Sequence, residues 1–182
     1  MTSHRIAATA LVIGLALVGI STARAQQDHA TPEEVVQRVR QAAQNIAESI
    51  VKSGKTGLAT YSSKNDTSVW KDSYVFVVDC ESGKAVTAAH PIRPELVGKP
   101  QAQNVTFGPR PGEQLATDFC TEGRKPHGGW VEFNFPKADG TQPERKVTYF
   151  LAAQGTPYVA AAGVYDASAK VADLEKVSGG QP

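Results

Sequence analysis

The sequence predicts an α+β domain with a five-stranded antiparallel sheet, a long N-terminal helix and a short C-terminal helix. Three observations support this prediction. Apolar residues recur at helical spacing near the start, runs of β-branched and aromatic residues fill the centre, and a second helical pattern lies near the end. The 182 residues show no internal repeat and no second domain.

The first helix is predicted to begin at Pro32. Thr31 suits the N-cap, proline suits the first helical position, and two glutamates follow where the helix dipole stabilises negative charge. An apolar stripe then continues to Ile50 and weakens near Gly54. Residues 55–67 form either a loop or a short continuation toward the first strand.

Five strands are predicted from their apolar, β-branched and aromatic content and from the turn residues that bound them. The first is expected to be buried on both faces, and the second returns beside it as a hairpin. The predicted strands are Ser73–Asp79, Ala85–Ala89, Trp130–Phe135, Arg145–Ala153 and Tyr158–Val164.

A long irregular stretch, residues 91–112, separates the second and third strands. Loops of this length are uncommon in compact domains and often carry binding sites. Residues 113–121 are predicted to form a short helix, and residues 166–177 a closing helix.

The first 25 residues predict a secretory signal peptide. A basic start precedes an apolar core from Ile6 to Ile20, and Ala23-Arg24-Ala25 is a suitable cleavage site before Gln26. The alternative is a retained membrane anchor, but fifteen apolar residues are fewer than the roughly 20 that span a bilayer. The expected location is therefore the periplasm or the medium, with no stable membrane insertion.

Charge gives no indication of a nucleic-acid partner. Removal of the first 25 residues leaves 17 Lys and Arg against 18 Asp and Glu. This balance provides no electrostatic attraction for nucleic acid or for an anionic membrane. No nucleophile motif, phosphate loop or metal-ligand spacing is present, so no enzyme activity, cofactor or metal is predicted.

The two cysteines, Cys80 and Cys120, are predicted to form a disulfide. An even number of cysteines in an oxidising compartment usually pairs. The alternative is two unpaired thiols. A metal or redox role lacks the necessary partners, because the sequence has neither a Cys-x-x-Cys motif nor a cluster of histidines.

A series of short blocks between Tyr74 and Asp166 follows a specific order. A strand ending in Asp and a Gly turn precedes a His-Pro, a Pro-x-Leu-x-Gly-Lys, a Gly-Trp strand, a Lys-x-x-Tyr strand and a closing Gly-x-Tyr. The matching residues are Asp79, Gly83, His90, Pro91, Pro94, Leu96, Gly98, Lys99, Gly129, Trp130, Lys146, Tyr149, Gly163 and Tyr165. This order resembles the single-Cache sensor domains of bacterial extracytoplasmic receptors.

The resemblance implies a PAS-like fold with the long helix packed behind the sheet. Together with the signal peptide predicted at 1–25, the resemblance divides the chain into a helix and connector at 26–68, a Cache-like sensor domain at 69–177 and a flexible tail at 178–182. The implied function is binding of a small molecule, most plausibly a small carboxylate, in sensing, signal transduction or chemotaxis. A separate membrane chemoreceptor or histidine kinase is then the expected partner.

Five residues are predicted to bind the ligand: His90, Arg93, Trp130, Lys146 and Tyr149. An imidazole or ammonium group can hold a carboxylate, and a guanidinium can bind one through two hydrogen bonds. Each residue has a structural alternative. The histidine can cap a loop through a backbone carbonyl, the lysine and arginine can face water, and the two aromatic residues can belong to the core.

Strand alternation limits this set. Lys146 and Phe150 point to one face of their strand, whereas Tyr149 points to the other. We nevertheless expect His90, Trp130 and Lys146 to line one cavity under the long loop; Tyr149 joins them only if a bulge or the edge of the cavity offsets its strand phase. Phe133 and Phe135 stand where single-Cache domains commonly have Tyr and Trp, so two hydrogen-bond donors are missing here.

Two alternative functions remain at this stage. The first is a ligand-free structural or adaptor subunit of a periplasmic complex. The second is a hydrolase, which would require His90 and His127 to converge on one cleft with a carboxylate such as that of Asp118.

Overall fold

The computed structural model describes residues 29–137 and 139–179. The predicted signal peptide and the cleavage site before Gln26 lie outside the described residues. The last three residues of the predicted tail, 180–182, also lie outside them. Ser178 is described, and it is buried rather than exposed.

The long N-terminal helix, α1, spans Pro32–Ser53 and begins as predicted. The Thr31 hydroxyl accepts a hydrogen bond from the backbone N–H of Glu34 at 3.3 Å. The Glu34 carboxylate in turn accepts one from the N–H of Thr31 at 3.0 Å, which completes a capping box. A 3₁₀ helix at Gly54–Ser62 follows directly, so the chain continues as a short helix here.

A five-stranded antiparallel sheet forms the centre of the domain, and each of the five predicted strands contributes to it. The first predicted strand, Ser73–Asp79, is divided: Phe76–Asp79 belongs to this sheet, whereas Ser73–Tyr74 pairs in a separate two-stranded hairpin. In the order of the chain they are β3 (Phe76–Asp79), β4 (Val86–Ala89), β5 (Gly129–Pro136), β6 (Pro143–Ala152) and β7 (Tyr158–Val164). In space their order is β4-β3-β7-β6-β5. This architecture confirms the predicted α+β, PAS-like class.

A small hairpin precedes this sheet and was not predicted. Strand β1 (Val69–Trp70) pairs with β2 (Ser73–Tyr74) across the two residues Lys71 and Asp72. Lys71 has a positive φ of 48°, which a non-glycine residue rarely adopts. The turn lacks the Asn-Gly or Asp-Gly pair typical of such hairpins, so no turn motif in the sequence predicts it.

The sheet separates two apolar cores. On the helix side, α1 packs against alternate residues of β3, β6 and β7, including Val77, Tyr149 and Ala160. On the loop side, Phe76, Phe150 and other residues of the same strands pack against the helix α2 (Gly112–Gly123). The period-two alternation of a strand produces this division.

The disulfide and the two shorter helices lie where the sequence predicted them, with one shift in a boundary. Cys80 and Cys120 are bonded, which confirms the predicted pair and joins the end of β3 to α2. The closing helix, α3, spans Val171–Val177 and begins later than the predicted Asp166. The Asp166 carboxylate instead accepts hydrogen bonds from the backbone N–H and hydroxyl of Ser168, and such local bonds compete with a helix.

We predict that replacing both cysteines, Cys80→Ala and Cys120→Ala, lowers the free energy of unfolding by about 2–4 kcal/mol. The bonded residues are 40 apart in sequence, and opening so large a loop increases the entropy of the unfolded chain. Urea denaturation followed by circular dichroism measures the change. A reducing agent should weaken the wild type and leave the double variant unchanged; equal urea midpoints for wild type and variant would contradict the prediction.

Candidate ligand-binding site

A small closed cavity lies on the loop side of the sheet, between β5, β6 and the loop at 91–111. The cavity volume, counted as the space that the centre of a water molecule can occupy, is about 10 Å³. This volume holds roughly one water molecule. Most of the lining is aromatic, with three polar side chains. The lining residues are Tyr74, Phe76, His90, Gln101, Phe133, Phe135 and Lys146.

Lys146 places its ammonium group inside the domain. Its strand register sets it opposite Phe133, and it is 1% exposed. Its Nζ lies 3.9 Å from the ring centre of Tyr74 and 5.1 Å from that of Tyr165. Such contacts are favourable cation–π interactions, yet they do not neutralise the charge.

No carboxylate balances this charge at close range. Among the described residues, the ion pairs with N···O distances up to 4.0 Å do not include Lys146. Burial lowers the pKa of Lys146 to about 7, and the more distant carboxylate of Asp72 opposes this shift only in part. Near neutral pH the cavity therefore contains a group that gains or loses a proton easily.

His90 follows β4 and presents a neutral imidazole to the cavity. Its Nδ1 accepts hydrogen bonds from the backbone N–H groups of Arg93 at 3.0 Å and Ile92 at 3.3 Å. Burial, together with the positive charges of Lys146 and Arg93, lowers the pKa of His90 to about 3. With Nδ1 acting as an acceptor, the ring proton resides on Nε2, which is a hydrogen-bond donor.

His90 therefore caps the loop, as one of the two predicted alternatives required, but the direction of its hydrogen bonds differs from the expectation. The ring accepts from backbone N–H groups and does not donate to a carbonyl. Because only Nδ1 is used in this cap, Nε2 remains available for a ligand. The capping role and the ligand role are compatible in one side chain.

Arg93 and Gln101 come from the loop above the cavity. The Arg93 guanidinium donates to the carbonyl of Gly140 at 2.6 Å and does not line the cavity. Gln101 does line it and is 3% exposed, and its amide donates to the Thr87 hydroxyl at 3.0 Å. Arg93 therefore acts on the cavity through its charge, whereas Gln101 contributes a polar wall.

Comparison with known proteins identifies the family. The family model described as Single Cache domain 2 matches residues 4–176, almost the whole chain. The chain belongs to this family. The resemblance found in the sequence is thereby confirmed.

Two solved structures show the same fold as this Cache domain. One is described as the periplasmic sensor domain of a chemotaxis protein, with 18% identity, a TM-score of 0.55, and coverage of 80% of this chain and 98% of that one. The description of the other structure concerns carboxylic acid recognition by a Cache chemosensory domain. That structure has 19% identity and a TM-score of 0.55, and the match covers 82% of this chain and 99% of that one. A search of curated proteins found no match.

Trp130 and Tyr149 do not line the cavity, so the expectation that Trp130 shares it with His90 and Lys146 is wrong. The centres of the two rings lie 5.2 Å apart, with the ring planes tilted by 43°, in the core on the helix side of the sheet. They are paired across β5 and β6, so both point away from Lys146. The Tyr149 hydroxyl donates to the carbonyl of His127 at 2.5 Å, which is a structural role.

Within the described residues of this Cache domain, His90, His127 and Asp118 do not form the arrangement that a hydrolase would require. His127 is exposed and does not line the cavity that contains His90. The Asp118 carboxylate is paired with Arg110 instead. The described part of the chain also has no group of three His, Cys, Asp or Glu side chains suited to a metal ion.

Sequence reasoning missed three lining residues, Tyr74, Phe76 and Gln101. Tyr74 lies two positions before Phe76, so alternation along an extended chain places both rings on the cavity side, and this signal was readable. Gln101 lies in a short 3₁₀ helix within an irregular loop, where no periodicity indicates direction. Burial raises the pKa of Tyr74 to about 12, and the neighbouring Tyr165 hydroxyl limits the rise, so Tyr74 is a neutral donor.

We predict that Lys146→Met changes how stability depends on pH. The folded protein prefers neutral Lys146 above about pH 7, whereas the unfolded chain keeps the lysine protonated to about pH 10. The unfolded state thus binds more protons in this window, and wild-type stability rises with pH. Between pH 7 and pH 9 the wild type should gain roughly 2 kcal/mol relative to the variant.

Urea denaturation in buffers without carboxylate anions measures this difference. His90 titrates below the window and Tyr74 above it, so neither contributes to the slope. Wild-type and variant stabilities that run parallel from pH 7 to pH 9 would show that Lys146 is not desolvated.

Proposed function

We propose that this Cache domain binds a small monocarboxylate between Lys146 and His90 and serves as a secreted or periplasmic sensor component. The observation that carries the proposal is the buried ammonium group, which has no carboxylate from the protein within ion-pair distance. A buried charge is costly unless it is paired. An anionic ligand is the natural missing partner.

The polar groups of the cavity suit one carboxylate. Protonated Lys146 supplies charge, and His90 supplies an N–H donor that is fixed by its bonds to the backbone. The Tyr74 hydroxyl, kept neutral by its raised pKa, is a further donor. Charge-assisted hydrogen bonds of this kind are about twice as strong as neutral ones, which favours an anion over a neutral ligand.

The remaining walls favour a ligand with a short apolar tail. Phe76, Phe133 and Phe135 offer no hydrogen-bond donor, and Lys146 is the one cation among the lining residues. A second carboxylate would therefore be left unpaired, which disfavours dicarboxylates. Because the cavity holds roughly one water, even a two-carbon acid requires an outward shift of the loop that carries Gln101.

The proposed signalling role follows from the family and from the neighbours' descriptions, which concern chemotaxis and chemosensing. Within residues 29–137 and 139–179, none of the helices has the length and apolar character needed to span a bilayer. We propose that the liganded domain is presented to a separate membrane chemoreceptor or histidine kinase. The predicted signal peptide before Gln26 is part of this proposal.

A second candidate is a ligand-free adaptor subunit of a periplasmic complex. The observation that favours it is the closed state of the cavity, which in this form has no room for an organic acid. The two candidates differ in one measurable property. A sensor is stabilised by its ligand in proportion to RT ln(1 + [L]/Kd), whereas a ligand-free adaptor is not.

We predict that acetate or propionate raises the melting temperature of residues 26–182 and that Lys146→Met abolishes this rise. His90→Asn should weaken binding at least tenfold, because the Asn carbonyl oxygen can replace Nδ1 as the acceptor for the backbone but supplies no donor in place of Nε2. Thermal-shift titration followed by isothermal calorimetry gives the dissociation constants.

The controls use a matched ligand and a matched residue. Acetamide has the shape of acetate without its charge, and it should not bind. Lys52→Met removes an exposed lysine of α1 and should bind acetate as the wild type does. If acetamide stabilises the protein as acetate does, the charge of the ligand plays no part in binding, and the carboxylate proposal is wrong. If neither a monocarboxylate nor a dicarboxylate stabilises the protein, the adaptor function is favoured instead.

The affinity for acetate is expected to fall as pH rises above 7. Free Lys146 has a pKa of about 7, and a bound carboxylate stabilises the protonated form, so binding above this pH takes up a proton. The dissociation constant should increase up to tenfold per pH unit between pH 8 and pH 9.5. Calorimetry in two buffers with different ionisation enthalpies should show an uptake of nearly one proton; a constant affinity would contradict the role of Lys146.

A further inference from the structure

A second, larger groove lies on the other side of the domain. It runs between one face of α1 and residues 61–70, and its volume of about 550 Å³ lies within the usual range for small-molecule sites. It shares no lining residue with the cavity at Lys146. Along α1 the lining positions extend from Glu34 to Asn45, which corresponds to roughly 16 Å of helix.

Two polar atoms at this groove have no hydrogen-bond partner among the described residues. They are the hydroxyl of Tyr61 and the indole N–H of Trp70, and both are inaccessible to solvent. Tyr61 is 1% exposed. Asn45 is close enough to influence the pKa of Tyr61, but the two side chains are not in hydrogen-bond geometry. Buried polar groups are paired in the great majority of cases, so two orphans at one groove require an explanation.

Side-chain amides supply the neighbouring polar groups. Gln37, Gln41 and Asn45 line the groove on α1, and each amide both donates and accepts. The Gln41 amide N–H donates to the Asn45 carbonyl oxygen at 2.9 Å. This bond leaves the Gln41 oxygen and the Asn45 nitrogen without a partner in the described part of the chain. The groove therefore offers donors and acceptors in alternation.

The charged residues of the groove are already engaged or balanced. The Glu34 carboxylate binds the Lys71 ammonium at 2.8 and 2.9 Å. Arg38 donates to the carbonyl of Asp66 at 2.6 Å and lies 4.9 Å from the ring centre of Trp70. Apart from Glu34, the charged side chains that line the groove are one negative, Asp66, and one positive, Arg38. No excess of either sign attracts an ion.

We propose that this groove is a second ligand site for a neutral, hydroxyl-rich small molecule of the size of a mono- or disaccharide. Hydroxyl groups donate and accept, so a polyol matches alternating amide donors and acceptors better than an anion or a cation does. In the proposed complex the Arg38 side chain, which lies 4.9 Å from the ring centre of Trp70, moves aside, and hydroxyl groups of the ligand pair with the Tyr61 hydroxyl and the Trp70 indole N–H. The site is independent of the carboxylate function.

The indole N–H signals in a two-dimensional ¹H–¹⁵N NMR spectrum test the proposal directly. The chain has two tryptophans, and Trp130 lies in the helix-side core, so it serves as an internal reference. The Trp70 signal is assigned with Trp70→Phe. We expect D-glucose, D-galactose, N-acetylglucosamine, sucrose or maltose to shift the Trp70 signal in a saturable manner while the Trp130 signal stays constant.

Three variants define the site. Tyr61→Phe removes only the unpartnered hydroxyl, so it should fold normally and bind the active saccharide at least fivefold more weakly. Gln41→Ala should weaken binding similarly, whereas Gln44→Ala, an exposed glutamine of α1 outside the groove, should not. Lys146→Met should leave the response intact.

Three outcomes would overturn the proposal. The first is no saturable shift of the Trp70 signal with any of the five saccharides. The second is equal binding by Tyr61→Phe, Gln41→Ala and the wild type. The third is a Trp70 shift produced by acetate and not by the saccharides, which would assign an anion to the groove.

Discussion

The alternation of side chains along β6 separates the charged cavity on the loop side of the sheet from the apolar core on the helix side. Lys146 and Phe150 point to the loop side, whereas Val147 and Tyr149 point to the helix side. A sheet without this division would place the lysine against α1, where the core is apolar. The charge instead lies among aromatic rings under a loop, the part of the fold that is most easily displaced.

A buried lysine without an ion-pair partner lowers the stability of the folded protein, and the packing of the core does not require a lysine here. Burial of an apolar residue at this position would be favourable, and replacement of buried charges by apolar groups is often stabilising. The free protein therefore keeps a group that lowers its stability and that an anion would stabilise. Local loss of stability at ligand sites is a common feature of proteins whose binding is coupled to a change of state.

Most of the fold was predictable because its signals are local. The cap at Thr31 and the five apolar runs bounded by turn residues each depend on a few neighbouring residues. The site was predictable only in part, because it depends on which residues face each other across strands. The position of Trp130 opposite Tyr149 follows from the pairing of β5 with β6, and this register is not visible in either strand alone.

The disulfide limits how far the two ends of the loop above the cavity can separate. Because Cys80 and Cys120 are bonded, residues 80–120 form a closed ring, and the loop at 91–111 is one arc of it. To admit the proposed ligand, such an arc could move outward, but its two ends could not separate. The loop would then lose few alternative conformations when it closes again, so entry of the proposed ligand would cost less conformational entropy than it would under a loop without the disulfide.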